Sequence, residues 1–392
     1  MTEHRLEVAD VFRKHGQEFL NRWGDVLSTQ QRKAFRDIGA CRTAALGTQV
    51  QQCDHCGHQE IAYRSCRNRH CPKCHSRTRD EWLRDRAAEV LPVPYCHVVF
   101  TLPHELAPLA FQNPRVVYGI LFRAVAESLL EMAADPKRLG ARIGFLAVLH
   151  TWSQRLEHHP HVHCVVPAGG LSPDHTRWIK PRYRFFLPVK VLGRVFRGKF
   201  VAALPRAFAD GQRGFHGNLT LLAQPKAFSA WLRPLFRHDW VVYAKRPFGG
   251  PEHVLRYLGS YTHRVAISNH RLVSFADEKV TFRWRDSAHK NKKRLMTLPV
   301  EEFLRRFLLH LLPKRFVRIR HFGFLATRQR TALLPICFRS LGAAASNVTA
   351  NIAQVQPAVA LWTCPNCGGS MRVIERFTAA QVQLRIPFGR GP

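Results

Sequence analysis

The chain has 392 residues, enough for one large domain or two to three ordinary ones with cores of their own. Sixty Lys and Arg stand against 27 Asp and Glu, a formal net charge of +33, with 22 His in reserve and a sequence pI near 10.8. A composition of 46% apolar, 10% aromatic and 22% charged residues excludes a disordered basic tail, a collagen-like chain and a coiled coil. The charge sits poorly with an enzyme of neutral metabolites and selects polyanionic partners, nucleic acid before an acidic membrane surface.

The opening MTEHRLEVADVF interleaves charges with apolar residues and so predicts no secretory signal. No stretch of about eighteen apolar residues occurs, so no membrane span and no membrane partner are expected, and the protein is expected in the cytoplasm, associated with the nucleoid. Residues 1 to about 50 read as helical: VADVFRKHGQEFL carries an apolar stripe, and Ser28 with Gln31 has the spacing of a capping box before a second helix ending near Gly39. A Cys/His-rich knot follows at 53–75. From Tyr95 the pattern changes to short β-like runs, YCHVVFTL, GFLAVLHTW and HVHCVVP, with a helical stretch around 115–135, which predicts an α+β core. A basic, aromatic connecting region spans 180–240. PEHVLRYLGSYTHR then reads as a helix with Pro251 in its first turn. VAISNHRLVSF and KVTFRWRD read as a hairpin, HKNKKR as a basic loop, and VEEFLRRFLLHLL as an amphipathic helix. The expected organisation is a helical and zinc-binding DNA-recognition domain over 1–90, a catalytic domain over 91–330, and a tail over 331–392 carrying one more Cys pair.

Eleven cysteines, six of them between Cys41 and Cys74, suit metal ligation in a reducing compartment better than a disulfide framework. Cys53-x2-Cys56 and Cys71-x2-Cys74 are two knuckles fourteen residues apart, a spacing that predicts one closed, structural Zn2+ site. Cys66, His70 and His75 are alternatives, able to replace a cysteine or to support a second metal. Binding worth roughly 10–16 kcal/mol in zinc-finger peptides would order a segment with little core of its own. Arg67, Arg69 and Lys73 beside the knot offer a phosphate-facing surface, as do Lys292, Lys293 and Arg294 in the basic loop. Cys364-x2-Cys367 is a further knuckle without an obvious partner pair.

In EHHPHVHCVVPAGG, β alternation sends His161 and His163 to one face and Val162 to the other, which predicts a two-histidine metal site on a rigid strand. His159 has the same parity and competes with them, although Pro160 kinks the strand before it; a third ligand is needed, and Gln154 from HTWSQRL is the expected one, leaving positions for phosphate oxygens and water on Mg2+ or Mn2+. Tyr257 and Tyr261, four residues apart, present both phenols on one helix face, and Gly259 between them is unfavourable in a helix unless backbone must approach a ligand. A phenol has a reference pKa of about 10, so attack on a phosphodiester near neutrality needs a metal to polarise the phosphate. Arg256 and Arg264 supply counter-charge beside the phenols, and Trp152, Trp178 and Trp284 offer stacking surfaces for unpaired bases.

Together these residues resemble the two-tyrosine HUH transposases of the insertion sequence ninety-one family. The resemblance rests on CDHCG…YRSCRNRHCPKCH, FTLPHEL, LHTWSQRLEHHPHVHCVVPAGGL, YLGSYTHRVAISNHRL and MTLPVEEFLRRFLLHLLPKRFVRIRHFGFLA, and it covers roughly residues 20–330. It implies an HUH endonuclease-like antiparallel sheet with flanking helices behind a zinc-binding module. It also implies rolling-circle transposition by cleavage of single-stranded DNA at element ends, through a 5′-phosphotyrosine, with strand transfer to target DNA. In that scheme His161 and His163 are metal ligands, Gln154 fits the place of the third, and Tyr257 and Tyr261 are nucleophiles. The competing readings are a plasmid replication initiator or relaxase with the same chemistry, and a non-catalytic zinc-dependent DNA-binding regulator.

Overall fold

A computed structural model describes residues 6–181, 187–209, 214–248, 253–254, 259, 265–286, 289–343 and 363–385. The architecture is α+β, with antiparallel sheets and flanking helices. Two compact units divide the chain, one built from Met1–Thr78, Arg264–Leu311 and Ala353–Pro392, the other from Arg79–His263 and Leu312–Ile352. Residues 264–311 group with the N-terminal segment, and the stretch beyond 330 is shared between the units. Among the described residues no helix is long and apolar enough to cross a membrane.

In the first unit, helices Val8–Trp23 and Thr29–Gly39 pack through Phe12, Phe19 and Phe35. The second helix starts as its sequence requires: Ser28 Oγ accepts from the Gln31 N–H, and the Gln31 side chain accepts from the Ser28 N–H. Helix Val300–Leu308 adds Phe307 to this aromatic core, 5.2 Å from Phe12. It covers a meander of β9 (Leu272–Ala276), β10 (Lys279–Asp286) and β11 (Lys292–Pro299). The expected basic loop is thus shorter than read, since Lys292, Lys293 and Arg294 open β11, and the expected VAIS strand is absent, β9 beginning only at Leu272. A second three-stranded sheet has the order β13 (Met371–Phe377), β1 (Thr48–Cys53), β2 (Gln59–Tyr63). Gly47 turns the chain into β1 at φ +82, and a Cβ there would stand 2.2 Å from the Phe377 carbonyl oxygen, so only glycine fits.

The second unit is a five-stranded sheet in the order β12 (Ile319–Gly323), β4 (Gly144–Trp152), β5 (His158–Pro167), β3 (Tyr95–Thr101), β8 (Val242–Phe248), every neighbouring pair antiparallel. A short ribbon, β6 (Gly170–Leu171) with β7 (Trp178–Ile179), follows β5. Strand alternation sorts the core. Phe100, Phe145, Leu149, Val162 and Cys164 belong to one buried cluster, with helices Pro114–Ala134 and Val189–Ala209. Tyr95, Leu146, Val148 and Val165 belong to another, with helix Thr327–Ser340. Helix Val189–Ala209 replaces much of the expected connecting region: Leu192, Phe196, Phe200, Leu204 and Phe208 recur every fourth residue and are all buried.

Candidate metal centres and nucleic-acid interface

Eight of the eleven cysteines gather into two clusters, not one. Cys41, Cys66, Cys71 and Cys74 form the first and Cys53, Cys56, Cys364 and Cys367 the second; within each, the sulfurs lie within 4.8 Å of one another. The expected site of Cys53, Cys56, Cys71 and Cys74 is therefore corrected. Its two knuckles are kept apart by the β1–β2 hairpin, whose register runs from Thr48↔Tyr63 at the base to Gln52↔Gln59 near the tip. Cys53 and Cys56 sit at the tip, whereas Cys66 follows the base, about 17 Å away at 3.4 Å per residue over five residues. In the first cluster Cys74 Sγ lies 3.6 Å from Cys41 Sγ and 3.5 Å from Cys66 Sγ. Tetrahedral Zn–S bonds of about 2.3 Å place sulfurs about 3.8 Å apart, far from the roughly 2.05 Å of a disulfide, so the spacing fits zinc. The Cys56 and His55 N–H groups donate to Cys53 Sγ, and the Cys56 bond chiefly pulls that thiol down to about 6, toward the thiolate a metal requires.

His161 and His163 share a face of β5 with Val165, and His150 occupies the same face of β4, directly opposite His161 in register. The three imidazoles each offer a nitrogen, all within 4.8 Å of one another. His150 is the candidate ligand that the sequence reading missed. Its signal was available in the alternation Leu146, Val148, His150. Gln154, expected in that role, is exposed in the turn between β4 and β5.

Hydrogen bonds fix the ring nitrogens. His161 Nδ1–H donates to the His159 carbonyl at 2.7 Å, leaving Nε2 with its lone pair. His163 Nδ1 lies 2.8 Å from Nε2 of His97, a buried residue on β3. The two rings are parallel to within 2°, with centroids 5.0 Å apart. That geometry puts the hydrogen bond in the common ring plane, along the nitrogen lone pair. Burial lowers both His97 and His161 to about 4, so each stays neutral at physiological pH, the form that ligates metal. The donor set suits a divalent cation whose remaining positions are filled by phosphate oxygens or water.

Tyr257, Tyr261, Arg256 and Arg264 lie outside the described residues. Of the expected phosphate contacts, Arg67 is exposed, while Arg69 is half-buried with its Nε–H donating to His70 Nε2 at 3.3 Å. Lys73 pairs with Glu7 at 2.5 Å and Arg294 with Asp286 at 2.9 Å. Lys292 and Lys293 are exposed. By strand parity Lys293 shares the open face of the β9–β11 meander with Arg283 and Arg285, both exposed, an association the sequence order did not reveal. Of the aromatic residues read as stackers, Trp178 is core. Trp152 lies flat on His150 at 4.7 Å between centroids.

Residues 11–102 match the family model described as "Transposase zinc-binding domain", and residues 144–332 match that described as "Putative transposase". The chain is thus a DNA transposase, a DNA-cleaving enzyme with a zinc-binding domain. It is 54% identical over 336 residues to "Putative transposase y4qJ" of Sinorhizobium fredii, covering 86% of this chain and 84% of that protein. It is 29% identical over 366 residues to "Transposase for insertion sequence element IS801" of Pseudomonas savastanoi pv. phaseolicola, covering 88% and 83%. The chain belongs to the insertion sequence ninety-one family of transposases. No solved structure gives a significant match.

Proposed function

We propose that the protein cleaves single-stranded DNA at the ends of its element and transfers the strand to target DNA through a 5′-phosphotyrosine, the chemistry of rolling-circle transposition. The observation that carries this reading is the three-histidine cluster on the central strands, with the outer nitrogens of His161 and His163 already engaged. A divalent ion held by His150, His161 and His163, Mg2+ or Mn2+, would polarise the scissile phosphate and so favour attack by a weakly acidic phenol. Tyr257 or Tyr261 supplies that phenol. Its oxygen bonds to phosphorus, the bond from phosphorus to the 3′-oxygen breaks, and the proton lost by the phenol is balanced by the one gained at the 3′-OH. The phosphodiester energy is kept in the phosphotyrosine, so a later attack by a 3′-OH rejoins DNA without a nucleotide cofactor. Two tyrosines allow two strands to be held in turn. Lys293, Arg283 and Arg285 offer an exposed cationic face to DNA phosphates.

The test uses labelled single-stranded DNA from both flanks of the gene, incubated with the purified protein and Mg2+ or Mn2+, with chelator as control. The expected result is a protein–DNA band that survives denaturation, vanishes with chelator, and is absent from the Tyr257→Phe/Tyr261→Phe double variant while DNA binding persists. An adduct formed by the double variant would overturn the assignment of the nucleophiles.

A further inference from the structure

Cys364 and Cys367 lie beyond both matched regions of the chain, and the sequence gives them no partner. In the structure their segment returns to the N-terminal hairpin, β13 pairing antiparallel with β1 from Thr48↔Phe377 to Cys53↔Met371. The two knuckles that meet there, CDHCGH and CPNCGG, have the same backbone. Cys53 N–H donates to the His58 carbonyl at 2.8 Å, and Cys364 N–H to the Gly369 carbonyl at 2.8 Å. Gly57 N–H returns to the Cys53 carbonyl at 3.1 Å, and Gly368 N–H to the Cys364 carbonyl at 2.9 Å. Both glycines are left-handed, at φ +71 and +72, where a side chain is strained. The repeated turn brings its sulfurs together in crossed pairs, Cys53 with Cys367 and Cys56 with Cys364, each at 3.5 Å. This is close to the edge of a zinc–thiolate tetrahedron.

Among the described residues the apolar packing of this sheet is small. Its buried apolar cluster is Cys53, Cys364 and Met371, while Ile61, Tyr63 and Ile374 are exposed. A three-stranded sheet with so small an apolar cluster gains little from packing, and binding of a metal by preorganised thiolates adds to it.

We propose that Cys53, Cys56, Cys364 and Cys367 bind a second structural Zn2+, separate from the Cys41, Cys66, Cys71 and Cys74 site, and that it fastens the C-terminal strand to the N-terminal hairpin. The inference rests on the zinc-binding reading of the N-terminal domain and adds to it a site completed by the other end of the chain. Loading releases the thiol protons to solvent and involves no redox change.

Metal analysis of the purified full-length protein tests it. Two zinc ions per chain are expected, falling to one in Cys364→Ser/Cys367→Ser and to one in Cys66→Ser/Cys71→Ser. In the Co2+-substituted protein the thiolate-to-cobalt charge-transfer absorbance should halve in each variant. One zinc per chain, unchanged by Cys364→Ser/Cys367→Ser, would overturn the second site and leave the first standing; no zinc at all would overturn both. A second measurement needs no variant. Cys56 and Cys367 are exposed, so alkylation in the zinc-loaded wild type should be at least about tenfold slower than after chelation, because zinc holds the thiolate. Equal rates, or disulfides mapped between these cysteines, would refute the proposal.

Discussion

His97 offers the sharpest test of the histidine cluster, because it lies behind a proposed ligand. Its Nε2 is 2.8 Å from His163 Nδ1, and it is only 6% exposed. When His163 ligates through Nε2, its Nδ1–H donates to His97, which fixes the tautomer and the ring plane. Replacing His97 by Phe removes the acceptor of this buried hydrogen bond, at about 1–3 kcal/mol. At about 1.4 kcal/mol per factor of ten, that corresponds to the 10–100-fold loss of metal affinity typical of removing such a partner. Calorimetric titration with Mn2+ should show this loss in His97→Phe and a smaller one in His97→Gln, whose amide oxygen can still accept. Adduct formation by His97→Phe should recover as Mn2+ is raised, which a general packing defect would not allow. Wild-type Mn2+ affinity in a His97→Phe protein of unchanged melting temperature would refute the reasoning.

Three further outcomes are expected. Arg283→Ala and Lys293→Ala should each lower the slope of log affinity against log salt for single-stranded DNA by about 0.7, the contribution of one neutralised phosphate; unchanged slopes would remove this face from the interface. Phe196 is fully buried against Phe100, Phe200 and Trp240, so Phe196→Ala should destabilise the second unit by about 3–5 kcal/mol in urea unfolding, and a loss under 1 kcal/mol would contradict the packing described. Hydrogen bonds from Arg305 and then Arg306 hold the Glu302 carboxyl down to about 2. A depressed carboxylate stabilises the fold above its unfolded value of about 4.3 and loses that contribution as pH falls through about 2. Glu302→Gln should therefore flatten the melting temperature's fall over that window, and an unaltered slope would show that the ion pairs do not stabilise the helix.

Local signals in the sequence translated well. The Ser28 and Gln31 capping box starts its helix, and GFLAVLHTW coincides with β4 from Gly144 to Trp152. Alternation placed His161 and His163 on one face without any knowledge of their neighbours. Where several weak signals conflicted, the reading failed: Val189–Ala209 contains Gly193, Gly198 and Pro205 among arginines, and these breakers masked a four-residue apolar repeat that only the sheet beneath it makes decisive. His150 failed for a different reason. Its face was legible, but its pairing with His161 is a matter of register between two strands, set by the β4–β5 turn and its irregularity between His150 and Trp152.

The cysteine partners show why proximity in sequence misleads. The fourteen-residue spacing between the N-terminal knuckles looked suited to one site, but closure entropy grows only as about 1.5 RT ln n. Joining Cys56 to Cys364, 308 positions away, in place of closing a fourteen-residue loop costs about 3 kcal/mol more on that scale. Structural zinc contributes roughly 10–16 kcal/mol, so loop length is a weak discriminator between the pairings. The stiff β1–β2 hairpin is a strong one, since it holds Cys53 and Cys56 about 17 Å from the base that Cys66 follows, and no metal spans that distance. What decides which cysteines meet is therefore the rigidity of the element between them, and a count of intervening residues does not measure it.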